Sequence, residues 1–209
     1  MNSLRTRLER LKAATKGVAA VEFGLLAIPF FIILMGGMDL GHQSYMRSVL
    51  QGALSDAARR AAVEDPSFNA SGATLEERIA NTVKADVGRI APNATYQVDI
   101  NNYFEFAGIG NPEKLLTDVD SDGVYDELDG DCFEDLNENG SYDLDAGRTG
   151  VGGANDVVFY EITVTMPRLL PMASLIGLPE DVQVGAEAAV RNQPYATQGV
   201  VPTVCGEPL

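Results

Sequence analysis

"TKGVAAVEFGLLAIPFFIILMGGMDLG", residues 15–41, sets a carboxylate, Glu22, inside a run that is otherwise apolar from Val18 to Met38. The run is 21 residues long. At 1.5 Å per residue a helix of that length measures about 31 Å, close to the hydrocarbon thickness of a bilayer. Arg5, Arg7, Arg10, Lys12 and Lys16 precede it against Glu9 alone, and Asp39 follows it. The positive-inside bias therefore reads residues 1–17 as a basic cytoplasmic leader, 18–40 as a transmembrane helix and 41–209 as an extracytoplasmic body. A secretory signal fits less well, because the run is long and no small-residue A-x-A site follows it.

The 209 residues carry 15 Lys+Arg and 30 Asp+Glu, a formal net charge of −15. That balance excludes nucleic acid as a partner, since phosphate neutralisation needs basic surface. No small-molecule site is legible either. His42 stands alone beside the membrane segment, and no nucleophile elbow, metal-hydrolase spacing or phosphate loop accompanies it. The expectation is a structural protein, not an enzyme.

Beyond the apolar run the helix continues. From His42 to Ala62, polar pairs alternate with the apolar pairs Tyr45-Met46, Val49-Leu50, Ala53-Leu54, Ala57-Ala58 and Ala61-Ala62. A period of four exceeds 3.6, so the apolar stripe drifts around the helix axis. Asp65-Pro66 stops it. A second helix starts at Thr74 with Glu77 as its capping-box partner, and ends by Pro92. "ATYQVDI" (94–100), continued by "YFEFA" (103–107), "DVVFYEITVTM" (156–166) and "DVQVGAEAAV" (181–190) alternate as strands, with a bulge expected at Gly185. The tail 192–209 reads as irregular. The class is α+β: a long N-terminal transmembrane helix running into a body with a second helix and a small, mostly antiparallel sheet, interrupted by an acidic insertion at about 109–153.

Gly17-Val-Ala-Ala-Val-Glu22-Phe23, Pro29, Gly37-Met-Asp39-Leu-Gly41, Tyr45, Arg59 with its alanine neighbours, and Arg191-Asn-Gln-Pro-Tyr together resemble the TadE-like proteins of tight-adherence (Tad) pilus systems. The resemblance is close over the first 60 residues and loose over the body. It implies a pseudopilin or minor pilin of a bacterial inner membrane, working with other pilin-like subunits, Tad assembly proteins and a prepilin peptidase. Carried over, the peptidase would cut between Gly17 and Val18. Glu22 and Phe23 would then be the fifth and sixth residues, and Glu22 would pair with a neighbouring subunit's new α-amino group, matching two charges that are each costly in lipid. Beside this stands a second reading, a permanently anchored extracytoplasmic calcium-binding adhesion protein with no leader cleavage. In it Glu22 merely snorkels to the interface.

The insertion carries an internal repeat. Residues 118–145 hold twelve Asp/Glu and no Lys or Arg, and "DVDSDGVYDELD" (118–129) recurs as "DLNENGSYDLDA" (135–146), 17 residues on. Hard oxygen ligands at alternate positions around a turning glycine are what calcium requires. Copy one offers Asp118, Asp120, Asp122, Val124 (through its carbonyl), Asp126 and Asp129. Copy two offers Asp135, Asn137, Asn139, Ser141 (carbonyl), Asp143 and Asp145. Neither has the bidentate Glu or the flanking helices of an EF-hand; both look like the short Asp-rich repeats of extracellular adhesive proteins. Calcium is the expected cofactor, and it would order residues 115–147, whose carboxylates otherwise repel one another. Cys132 and Cys205 are the two cysteines. They are open to a disulfide outside the cytoplasm or to two free thiols.

Overall fold

The computed structural model describes residues 17–170 and 177–207; of the leader expected at 1–17, all but Gly17 lies outside the described residues. The elements are α1 (Val18–Ala61), α2 (Leu75–Gly88), β1 (Thr95–Tyr103), a 3-10 turn (Phe106–Gly108), β2 (Lys114–Thr117), β3 (Cys132–Glu134), β4 (Arg148–Thr149), β5 (Val157–Pro167), β6 (Asp181–Arg191) and β7 (Thr203–Cys205). They fall into two compact units. Among the described residues, one comprises 17–44 with 168–170 and 177–180; the other comprises 45–167 with 181–207.

In the larger unit an antiparallel sheet of order β4-β1-β5-β6 carries the core. Along β5, Val158, Tyr160, Ile162, Val164 and Met166 are buried at alternate positions, the period-two signature of one covered face. Met46, Leu50, Leu54, Ala57, Ala58 and Ala61 of α1, with Ile79, Val83 and Val87 of α2, belong to the same cluster. The expected drift of the α1 stripe is visible. At its start only the second residue of each pair is buried, with Tyr45 exposed beside Met46; by its end both are, as with Ala57-Ala58 and Ala61-Ala62.

Helix α2 starts as its sequence requires. Thr74 Oγ1 accepts from the N–H of Glu77 at 3.2 Å. The Glu77 carboxylate reaches back to the N–H of Ala73 at 2.7 Å, one residue beyond the usual box partner. The helix ends at Gly88 rather than running to Pro92, because Ile90 and Ala91 both donate to the carbonyl of Val87 and close the last turn early.

Three strand expectations are corrected. Strand β1 stops at Tyr103 and does not include 104–107: Tyr103 pairs with Val157, the first residue of β5, so the ladder has no partner left, and Phe106–Gly108 turns away. Gly185 is no bulge, since it pairs with Thr163 in an unbroken β5–β6 register. The tail is not irregular throughout: Thr203–Cys205 forms β7 in a second antiparallel sheet of order β2-β3-β7.

The smaller unit is the apolar part of α1 together with the described ends of the β5–β6 connection. α1 runs unbroken through Pro29. None of its most apolar 18-residue window is buried, and by length and composition it can cross a membrane.

Leu54 is fully buried whereas Leu26 is exposed. Leu54→Ala should therefore lower stability by about 2–5 kcal/mol, the usual cost of emptying a packed leucine site, and Leu26→Ala should leave it unchanged. Chemical unfolding of the full chain in detergent micelles checks both.

Candidate functional site

The acidic insertion folds around its two repeats. In copy one the N–H of Asp122 donates to Asp118 Oδ1 and Asp120 Oδ1, both at 3.2 Å, that of Gly123 to Asp118 Oδ2 at 2.8 Å, and that of Val124 to Asp122 Oδ1 at 2.7 Å. In copy two Asn139 donates to Asp135 Oδ1 and Asn137 Oδ1, both at 3.1 Å, Gly140 to Asp135 Oδ2 at 2.8 Å, and Ser141 to Asn139 Oδ1 at 2.7 Å. The two loops thus share one turn, bond for bond. Ser121 and Glu138 take φ of 64° and 60°, and Gly123 and Gly140 take φ of 80° and 78°. Those last two are left-handed positions where a side chain would strain the backbone.

A pair of carboxylates that sequence reading passed over anchors these turns. Asp131, fully buried, accepts from Val119 at 2.8 Å and Asp126 at 3.0 Å, the second and ninth residues of copy one. Glu113, 2% exposed, accepts from Leu136 at 2.7 Å and Asp143 at 3.1 Å, the second and ninth of copy two, and also from Asn137. Each anchor closes the ring by donating its own N–H to the ninth residue's carbonyl: Asp131 to Asp126, Glu113 to Asp143. Burial pushes the Glu113 carboxyl up; three backbone N–H groups oppose the rise, and the nearby charge of Asp135 adds to it. Nothing in the one-dimensional pattern marks these residues, because Glu113 precedes its loop whereas Asp131 follows its own.

Between the repeats lies a small aromatic core. Tyr125 and Tyr142, the eighth residue of each copy, stack with centroids 4.8 Å apart and planes at 18°. Phe133 of β3 meets both edge-on at 5.0 and 5.4 Å. Beside Phe133, Cys132 is joined to Cys205 in a disulfide that fastens β7 to β3. The pairing closes 73 residues, a constraint of roughly 4 kcal/mol in the chain-entropy account.

The two loops differ as cation sites. Among the described residues, the carboxylates of Asp118, Asp120 and Asp122 lie with one oxygen each within 4.8 Å of one another. Their mutual charge shows in Asp120. The N–H of Asp122 works to lower its pKa, yet slight burial, the charges of Asp122 and Asp129 and the contact with Asp118 together leave it raised. A divalent cation would relieve that crowding, and an all-oxygen set suits calcium or magnesium rather than zinc. In copy two, Asn137 and Asn139 turn their amide N–H₂ groups onto Asp143 Oδ2, which holds the Asp143 carboxyl below its usual range. Of the remaining sequence-predicted ligands, Asp126 accepts from Leu128 through Oδ1. Asp145 accepts from Gly147 and from the Tyr103 hydroxyl. Val124 and Ser141 commit their N–H groups within the turns.

At the other end of the chain, Gly17 sits immediately before α1, and Val18, Glu22 and Phe23 are exposed on its first turns. Val18 and Glu22, four residues apart, share a helix face.

The family model described as TadE-like protein matches residues 17–59, a stretch running from the glycine before α1 almost to the helix's end. No curated protein and no solved structure matches the chain. The match and the exposed apolar helix together support a membrane component related to Tad pili.

Asp131→Ala should speed amide hydrogen exchange at Val119 and Asp126, and Glu113→Ala at Leu136, Asn137 and Asp143, each loop responding to its own anchor. A hydrogen bond to a charged acceptor contributes about 1.5–3 kcal/mol, enough for roughly a tenfold change or more. Site-resolved exchange by NMR or mass spectrometry reads it.

Proposed function

We propose that this chain is a structural subunit, a pseudopilin or minor pilin, of a Tad-type pilus. Residues 1–17 are its cytoplasmic leader, 18–40 cross the inner membrane, and 41–209 form an extracytoplasmic body ordered by calcium. The observation that carries this is the TadE-like match over residues 17–59, which begins at Gly17 and spans the exposed apolar helix. The peptidase cuts between Gly17 and Val18. Glu22 then docks against the α-amino group of a neighbouring pilin-like subunit, with Phe23 beside it. Partners are the bilayer, other pilin-like subunits, Tad assembly proteins and the prepilin peptidase. The role is structural rather than catalytic.

Calcium enters at copy one, held by Asp118, Asp120 and Asp122. It supplies positive charge where carboxylates crowd, and ligation draws on the same turn whose backbone N–H groups already fix those side chains. Copy two is the weaker site, since the two Asn amides already serve Asp143.

The N-terminus of the protein purified from its native membrane tests the anchor half: a chain beginning at Val18 is expected, and one retaining residues 1–17 would leave the permanently anchored adhesion protein as the better account. Calorimetric titration tests the other half. Calcium should bind with a Kd on the order of 10⁻⁴–10⁻³ M, as in extracellular modules, and Asp120→Asn should weaken it at copy one. Absence of heat at millimolar calcium would remove the cofactor.

A further inference from the structure

Strand β7 brings the tail of the chain onto the first repeat. Thr203–Cys205 pairs antiparallel with Cys132–Glu134, and the bonding runs one step further at each end. The N–H of Gly206 donates to the Asp131 carbonyl at 2.9 Å, and that of Asp135 to the Pro202 carbonyl at 3.0 Å. Asp131 is the fully buried anchor whose carboxylate takes the N–H groups of Val119 and Asp126. The tail is therefore bonded to the residue that fixes the first turn. It also meets that turn directly. A Cβ added at Gly206 would collide with the backbone of Glu127, the tenth residue of copy one, so main chain rests on main chain there, an approach that glycine permits.

The hold on the tail is covalent. β7 is three residues long and has β3 as its neighbour in the sheet. So short a ladder makes few hydrogen bonds against the backbone freedom that it removes. The Cys132–Cys205 bond sits at the Asp131 end of the ladder, one residue from Asp131 on one strand and from Gly206 on the other. Cys205 is exposed and Cys132 half-buried, so the bond stands where a thiolate can reach it, as labile disulfides do.

We propose that residues 202–206 are a redox-locked strap on the first repeat. With the Cys132–Cys205 bond closed, the tail holds Asp131 and Glu127, and the turn carrying Asp118, Asp120 and Asp122 is set for a cation. With the bond open, the tail leaves and the turn loosens. The cation part rests on the calcium reading above. Closing the lock takes two electrons and two protons from the Cys132 and Cys205 thiols and passes them to a disulfide donor, which departs as two thiols. Carboxylates that repel one another stay gathered only where the backbone holds them, so a turn without its strap binds a divalent cation more weakly. The first repeat is then loose in a reducing compartment and set in an oxidising one.

Hydrogen exchange of the full chain in detergent micelles, without calcium, tests the strap. The oxidised protein is compared with the protein reduced by a phosphine and with oxidised Gly206→Ala, whose disulfide is confirmed by intact mass. Reduction should speed exchange at Val119 and Asp126 about tenfold or more, the effect of losing a hydrogen bond to a charged acceptor, and leave the amides of β5 unchanged. Unchanged rates at 119 and 126 overturn the strap. Acceleration that reaches β5 equally also overturns it, since the bond would then staple the whole body. Gly206→Ala should speed exchange at Asp126 with the disulfide intact; no change there overturns the part given to the contact with Glu127. Calcium titration of the oxidised protein against Cys132→Ala/Cys205→Ala reads the coupling, with a Kd about tenfold weaker expected in the variant. Equal Kd values overturn the coupling. No binding by either form overturns the calcium reading, and the exchange rates still decide the strap.

Discussion

The backbone of a single helix, Val18–Ala61, has to serve two environments. Its first half leaves apolar side chains uncovered, and its second half places Met46, Leu50, Leu54 and the alanines at 57, 58 and 61 in a core with two layers. A helix can do both because every interior N–H is satisfied within the segment, whatever lies outside. Pro29 removes one such donor yet the helix persists, as proline-bearing membrane helices do. The sheet, the second helix and the register of the strands then follow from what the second half must cover. A period of four in the sequence becomes a stripe that turns around the helix, so the small residues at its end are buried on both members of each pair.

The acidic insertion obeys a different constraint. It holds many like charges in a short span and almost no aliphatic core, so it cannot fold by burial alone. Its carboxylates are used as acceptors. Asp118 and Asp135 each take two backbone N–H groups, and Asp131 and Glu113 take the flanking ones from inside. Charge-assisted bonds of this kind are among the stronger neutral-to-ion contacts in a protein. Three rings and one disulfide supply the remaining cohesion. The tail joins in because Cys205 and the edge of β3 hold it there, a long-range event with no local propensity behind it.

That contrast explains what was legible in the sequence. The long helix, the Thr74 cap and the paired strands at 95–103, 157–167 and 181–191 are local or period-driven, and the residues announce them. The repeat was legible too, because D-x-[DN]-x-[DN]-G fixes a turn through its own side chains. Strand β7 and the end of β1 were not, since both depend on where a partner strand starts or stops. Gly185 illustrates the same limit: its presence in a strand suggested a bulge, but the register with Thr163 continues through it. The anchors Glu113 and Asp131 look like two more members of an acidic crowd, and only burial separates them from the rest.

The asymmetry between the repeats follows from two substitutions within one turn. Positions three and five are Asp120 and Asp122 in the first copy, and Asn137 and Asn139 in the second. Both residue types accept the same backbone N–H bonds, so the turn survives in either form. Only the amide can also donate, and in the second copy it does so to Asp143. One turn is therefore complete with its own side chains, while the other holds three carboxylates with one oxygen each within 4.8 Å of one another. The backbone is conserved between the copies and the electrostatic demand is not. A cation that completes the first copy would have to compete, in the second, with hydrogen bonds already made.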